Sequence, residues 1–245
     1  MAVKQSIYQN ILKSITANKQ LLAVLIDPDK FSVENTEAFI ERINQSVATH
    51  IFVGGSFVEE HATSNLVETI KMHTSLPVVL FPGDVTQICE NADALLFLSL
   101  ISGRNPDYLI GKHVEAVSAL RKKELEVIST GYILIENGKT TAVERVTKTK
   151  PMSRKDIQNI VDTAKAGEYL GMKLMYLEAG SGAKHPVTPK IIQAVKKELN
   201  LPLIVGGGIR AKQQLEIAYS AGANMVVIGT AFEDDESFFD ELKYE

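Results

Sequence analysis

In Lys173-Leu-Met-Tyr-Leu-Glu-Ala-Gly-Ser-Gly182 a strand, an acid and a glycine loop follow one another without a break. Leu174 to Leu177 is an apolar run of strand length, Glu178 ends it, and Ala179-Gly180-Ser181-Gly182 comes at once. A parallel strand holds such an acid at its carboxyl end, and the bare backbone beyond it offers N–H groups to an anion. Leu201-Pro-Leu-Ile-Val-Gly-Gly-Gly-Ile-Arg210 and Asn224-Met-Val-Val-Ile-Gly-Thr230 repeat the pattern. Taken singly, these glycines could serve only as tight turns. Three strand ends in series read as one phosphate pocket, because a side chain there would keep phosphate oxygens away from the backbone donors.

The same alternation of apolar strand and amphipathic helix extends in both directions. Toward the N-terminus, Leu21 to Ile26 runs into Asp27-Pro-Asp-Lys30, Ser32 reads as a helix cap before Val33 to Val47, and His50 to Val53 breaks at Gly54-Gly-Ser56. A helix from about Ser64 to His73 precedes strand Leu76 to Phe81, which stops at Pro82-Gly-Asp84. The gap before strand Ala94 to Leu98 is too short for a full helix and two loops, so the third helix should be degenerate. Asp107 to Lys123 reads as a long helix and Glu126 to Ile135 as strand five. Glu136 to Pro151 is polar and long for a connection, which suggests a lid or interaction loop, with Asn137-Gly138 closing a small hairpin. Ser153 opens a helix to about Leu170, Thr188 to Leu199 and Ala211 to Ala221 flank strand seven, and a last helix starts at Asp234. Eight strands, nearly all alternating with helices, predict the α/β class and a (β/α)8 TIM barrel, a single domain over residues 1–245.

Composition narrows the function. A chain of 245 residues with 45% hydrophobic content can bury one substantial core. A net charge of −4 gives no basic field for nucleic acid, and a small anionic ligand needs only a local pocket. Cys89 is the only cysteine, which excludes an intrachain disulfide or a cysteine-based zinc site and suits the cytoplasm. Met1 to Lys19 reads as a leading helix rather than a targeting segment, and no run approaches the roughly 18 apolar residues of a membrane span.

Several residues have chemistry to offer. Asp27 and Asp29 at the mouth of strand one, with Ser56 beyond strand two, suit Mg²⁺ facing a phosphate; the alternative is a turn at Asp27-Pro28 and a helix cap at Asp29. Glu178 is the candidate general base, or else the partner of a lysine such as Lys173 or Lys184. Tyr176 shares its face, pointing into the barrel mouth or packing in the core. Arg104, Lys112 and Arg210 could hold a second anion or be solvated surface groups, and His185 fits a helix start better than a ligand.

Together Leu25-Ile-Asp-Pro-Asp-Lys30, Gly54-Gly-Ser56, Tyr176-Leu-Glu-Ala-Gly-Ser-Gly182, Gly206-Gly-Gly-Ile209 and Ile228-Gly-Thr230 resemble the geranylgeranylglyceryl phosphate synthases and their bacterial heptaprenylglyceryl phosphate synthase relatives. The resemblance covers essentially the whole chain. It implies a modified barrel whose third helix is missing, and ether-bond formation between the 3-hydroxyl of sn-glycerol 1-phosphate and a long-chain prenyl diphosphate, geranylgeranyl in this branch. By the same resemblance Asp27 and Ser56 are the Mg²⁺ positions and Glu178 is the base. Tyr176, Leu177, Glu178, Ala179, Gly180, Ser181, Gly182, Gly206, Gly207, Gly229 and Thr230 hold glycerol phosphate. Leu25 stands where the heptaprenyl-type enzymes carry a lysine, which points to the archaeal-type branch and to a homo-oligomer, dimer or hexamer. The prenyl tail needs an apolar groove, expected near Phe57, Phe81 and Phe97. An isomerase or lyase on the same phosphate barrel, or a barrel that only binds a phosphometabolite, are the competing functions.

Overall fold

The computed structural model describes residues 6–31, 33–55, 58, 61–121, 123–234 and 237–243. The predicted cap at Ser32, the metal position Ser56 and the groove residue Phe57 lie outside them. The described residues form a closed barrel of eight parallel strands: β1 (Leu21–Ile26), β2 (His50–Val53), β3 (Val78–Leu80), β4 (Ala94–Leu100), β5 (Glu126–Leu134), β6 (Leu174–Glu178), β7 (Leu203–Gly206) and β8 (Met225–Ile228). β1 pairs with both β2 and β8, which closes the ring.

The strands are mostly apolar on both faces because both are covered. In β1 the side chains of Leu21 and Ala23 fill the barrel interior, whereas Leu22, Val24 and Ile26 pack against the helical layer. The predicted leading helix is α1 (Ile7–Thr16), and it closes the amino-terminal end of the barrel with Ile7 and Ile11. Glu126 at the start of β5 holds it there: its carboxylate accepts the Ile7 N–H at 2.5 Å, the Tyr8 N–H at 3.1 Å and the Ser6 hydroxyl at 2.6 Å. A negative group at a helix N-terminus meets unpaired N–H donors there.

The outer layer contains α2 (Thr36–Asn44) and α3 (Ala62–His73). Between β3 and β4 only a single 3-10 turn, Val85–Gln87, stands in the helix position, so the third helix is degenerate as the spacing predicted. The long helix expected from Asp107 begins as a π-helical turn over Asp107–Gly111 and continues as α4 (Lys112–Leu120).

The hairpin expected at Asn137-Gly138 does not form. The connection folds instead into α5 (Ala142–Thr147), whose N-terminus carries a reciprocal capping box between Thr141 and Glu144. Asn137 is buried and its side-chain amide donates to the Ala179 carbonyl, while Ile135 bridges to Met152 in parallel. The amide nitrogen is tied to β6's loop, while its oxygen accepts the Lys139 N–H at 3.1 Å in a local turn that a helix follows instead of a second strand. Ser153 likewise opens a turn rather than a helix: α6 (Ile157–Tyr169) starts after the Asp156 cap. The barrel is completed by α7 (Pro189–Glu198) with Thr188 as cap, α8 (Lys212–Ser220), and two short helices in place of the one predicted from Asp234, α9 (Thr230–Asp234) and α10 (Phe238–Glu241). No helix of the described residues is long and apolar enough to cross a membrane.

Candidate active site

Two cavities meet at the carboxyl ends of the strands. The first is the barrel mouth, lined by Asp27, Lys30, Tyr176, Glu178, Ser181, Gly182, Gly207 to Arg210 and Gly229 to Ala231, among others. The second is an apolar groove that leaves the mouth where the third helix would have lain. Phe81, Ile88, Leu95, Phe97, Tyr108 and Ala116 line it, with Val143, Val146 and Thr147 of α5 closing one side. Phe81 and Phe97, two of the three residues expected near an apolar groove, line this one.

Glu178 ends β6, is buried, and accepts the N–H of Gly180 at 2.5 Å. Burial raises its carboxyl to about 6, against the lowering influence of the Gly180 N–H, the Tyr176 hydroxyl and the Ala179 N–H. No lysine is among these influences. Lys173 lies at the opposite end of β6 with its ammonium over the Tyr8 ring, and Lys184 is exposed. A carboxyl tuned this close to neutrality is suited to take a proton.

Tyr176 is fully buried. Its hydroxyl makes no hydrogen bond of full geometry yet lies close enough to Glu178 to hold that carboxyl down, so it is an orphaned polar atom beside the acid. Burial, followed by the Glu178 charge, pushes the phenol well above its ordinary range. Of its two predicted placements, the ring is core and the hydroxyl reaches the site.

Gly206 and Gly207 serve the acid as well as any ligand. A β-carbon on Gly206 would overlap the Tyr176 hydroxyl and come within 2.9 Å of Glu178 Oε2. One on Gly207 would overlap Glu178 Oε1, and its φ of +84° favours glycine in any case. The other predicted phosphate positions divide in two. Ser181, Gly182, Gly229 and Thr230 line the mouth, and the Ser181 and Thr230 hydroxyls are 3.2 Å apart. Leu177 and Ala179 turn their side chains to the helical layer, and the amides of Ala179 and Gly180 are committed to the Gly206 carbonyl and to Glu178.

Asp27 stands at the mouth with its carboxylate 3.2 Å from Lys30 Nζ and accepting the Asp29 N–H at 3.3 Å. Among the described residues no cluster of three or more His, Cys, Asp or Glu forms a self-sufficient metal site. A single carboxylate that already attracts a cation fits Mg²⁺ of the kind that takes its other ligands from substrate phosphate and water.

The basic candidates separate. Arg210 lines the mouth, with its guanidinium donating to the Ala183 carbonyl at 2.9 Å. Lys112 sits on the groove lip, paired to Asp84 at 3.0 Å and Glu115 at 3.3 Å. Burial alone would raise Asp84, and the Lys112 ammonium overrides it, leaving the carboxyl below its usual value. Arg104 donates to the Ile101 and Gly103 carbonyls and lines neither cavity. His185 is exposed in the bend before α7, beside Gly138.

Three residues shape the site in ways that the sequence reading did not foresee. Tyr132 of β5 pairs in register with Tyr176 and lines both cavities. Gln87, buried in the 3-10 turn, accepts the Gly55 N–H at 3.3 Å and donates to the Gly55 carbonyl at 2.9 Å, fixing the end of β2. Asn137 ties the α5 connection to the Glu178 loop. A strict alternation count along β5 would have put Tyr132 on the inner face; nothing local marks Gln87, and Asn137-Gly138 reads locally only as a turn.

A geranylgeranylglyceryl phosphate synthase of Flavobacterium johnsoniae is 55% identical to this chain over 235 residues, covering 96% of this chain and 97% of that one. One of Zunongwangia profunda is 57% identical over 226 residues, 92% of this chain and 96% of the other. The crystal structure of (S)-3-O-geranylgeranylglyceryl phosphate synthase from Thermoplasma acidophilum in complex with substrate sn-glycerol-1-phosphate superposes with a TM-score of 0.91 at 32% identity, over 97% of this chain and 96% of that one. The model of the PcrB family matches residues 13–244. By sequence and by fold, this chain belongs to the PcrB family.

Proposed function

We propose that this chain is a Mg²⁺-dependent prenyltransferase that joins the 3-hydroxyl of sn-glycerol 1-phosphate to C1 of geranylgeranyl diphosphate through an ether bond and releases diphosphate. The observation that carries the reading is the meeting of a glycine-lined mouth, holding a buried acid tuned to about pH 6, with an apolar groove that opens out of the barrel. A phosphate isomerase or lyase has no use for such a groove. The relatives at 55% and 57% identity carry the same synthase name.

Each group in the site has its own part in the reaction. Gly182, Gly207, Gly229 and the hydroxyls of Ser181 and Thr230 surround the glycerol phosphate and fix its 3-hydroxyl near Glu178, which lowers the entropic part of the barrier. Glu178 takes the hydroxyl proton at its carboxylate. Tyr176 keeps its own proton and supports that carboxylate, and the groove walls take the prenyl chain out of water. Asp27 would hold Mg²⁺, with Ser56 as the second position implied by the family resemblance. An ion held there would supply positive charge to the departing diphosphate. The whole chain works as one domain in the cytoplasm, as a homo-oligomer.

The test offers the protein sn-glycerol 1-phosphate or its sn-3 isomer with a mixture of prenyl diphosphates, and reads the lipid product by mass spectrometry. Geranylgeranyl ether formed from the sn-1 isomer is expected. A product from neither isomer would overturn the reading.

A further inference from the structure

The two cavities share only a narrow wall. Gly55, Phe81, Tyr132 and Val143 line both the mouth and the groove. A donor whose diphosphate lies at the mouth and whose tail lies in the groove must cross this wall with its first carbons. Two of the four residues there are aromatic.

Their rings are held by neighbouring rings. Phe81 lies 5.9 Å from Tyr132 and 5.4 Å from Tyr176, tilted against each, and Phe52 stacks behind it at 6.4 Å with only 12° between planes. Tyr132 meets Tyr176 edge to face at 5.4 Å. Such mutual packing fixes the ring orientations before any substrate arrives.

We infer that Phe81 and Tyr132 are catalytic residues, their ring faces stabilising the allylic cation that forms at the neck between mouth and groove. This inference rests on the prenyl-transfer reading. As the C1–O bond breaks, its electron pair leaves with the diphosphate, and positive charge spreads over C1 and C3 of the prenyl chain. The glycerol 3-hydroxyl oxygen then bonds to C1, and its proton passes to Glu178. Between those events the cation needs negative potential that cannot bond to it. The face of an aromatic ring supplies that. Gly55 and Val143, the other two residues of the wall, carry neither ring nor charge. Tyr132 is also safe as a neighbour: burial and the Glu178 charge raise its phenol well above the ordinary range, so it stays protonated and is no competing nucleophile.

A graded test leaves shape nearly constant. Position 81 of the full chain is filled in turn with phenylalanine and its 4-fluoro, 3,5-difluoro and 3,4,5-trifluoro analogues. Single-turnover rates are measured with saturating sn-glycerol 1-phosphate and geranylgeranyl diphosphate. Each fluorine weakens the ring's negative face, so the rate should fall stepwise, about 10- to 30-fold over the series. The KM for glycerol phosphate should stay within about twofold, since Phe81 does not hold that substrate. At the second ring, Tyr132→Phe should keep most of the rate while Tyr132→Leu loses it to a similar extent. A flat fluorine series in a protein that otherwise turns over would overturn the role of Phe81 and leave the prenyl-transfer reading standing. Equal losses in the two Tyr132 variants would overturn the role of its ring in favour of its hydroxyl. A native protein with no turnover at all would overturn both the inference and the function on which it rests.

Discussion

Gly207 and Glu178 fit together so closely that a β-carbon on the glycine would occupy the place of Glu178 Oε1. The glycine that follows β7 is therefore part of the acid's setting on β6. Gly207→Ala should force the carboxylate aside and add left-handed strain of about 1 to 3 kcal/mol. Turnover should fall by at least two orders of magnitude, with a lower melting temperature seen by calorimetry. A fully active Gly207→Ala variant would show that Glu178 is not held where the reaction needs it.

Glu178 itself stores instability. Its folded carboxyl is raised to about 6 from an ordinary 4.5, so the folded chain binds its proton more tightly than the unfolded chain does. The contribution to stability is fully present below the unfolded value and is lost as pH rises from about 4.5 through about 6. The loss is about 2 kcal/mol. Glu178→Gln should therefore be more stable than the native chain at pH 8 by roughly that amount, and equal to it at pH 4, in denaturant titrations. Its turnover should drop about 10³-fold while glycerol phosphate still binds. The native rate should rise with pH along a limb centred near 6.

Much of this arrangement is legible in the sequence. The apolar strand runs imply the parallel barrel, the short interval before Ala94 implies the degenerate third helix, and a strand ending on Glu178 places an acid at the mouth. Those are local signals, carried by period and spacing. What stays hidden depends on contacts between distant parts of the chain. The Asn137 amide does support a local turn at Lys139, but its second bond, to the Ala179 carbonyl across the loop, leaves no mark in the sequence. Alternation along β5 turns Tyr132 inward, but its partner Tyr176 follows only from register, and Gln87 gains its position from the backbone of Gly55. The role of Gly206 and Gly207 as space for Glu178 and Tyr176 is equally non-local, since no phosphate motif announces it.

The far end of the barrel should affect stability alone. Glu126 satisfies the first N–H groups of α1, so Glu126→Ala should cost about 1 to 2 kcal/mol in urea unfolding, as losing a helix cap does. Its kcat should stay within about twofold of native, because α1 closes the end opposite the site. A large loss of kcat with intact stability would mean that this end communicates with the mouth.

Donor length should follow the groove. Ala116 of α4 is buried against it, and Ala116→Phe would fill space that the far part of a prenyl chain needs. The variant should prefer farnesyl over geranylgeranyl diphosphate by about tenfold in competition, at a packing cost of about 1 to 3 kcal/mol. An unchanged product mix would place the tail elsewhere.

The most direct measurement of the central claim uses labelled sn-glycerol 1-phosphate with geranylgeranyl diphosphate, native protein or Glu178→Gln, and Mg²⁺ or EDTA, followed by extraction into organic solvent. Label should enter the organic phase only with native protein and Mg²⁺. Label left in water under every condition, in a protein that still binds glycerol phosphate, would contradict prenyl transfer by this barrel.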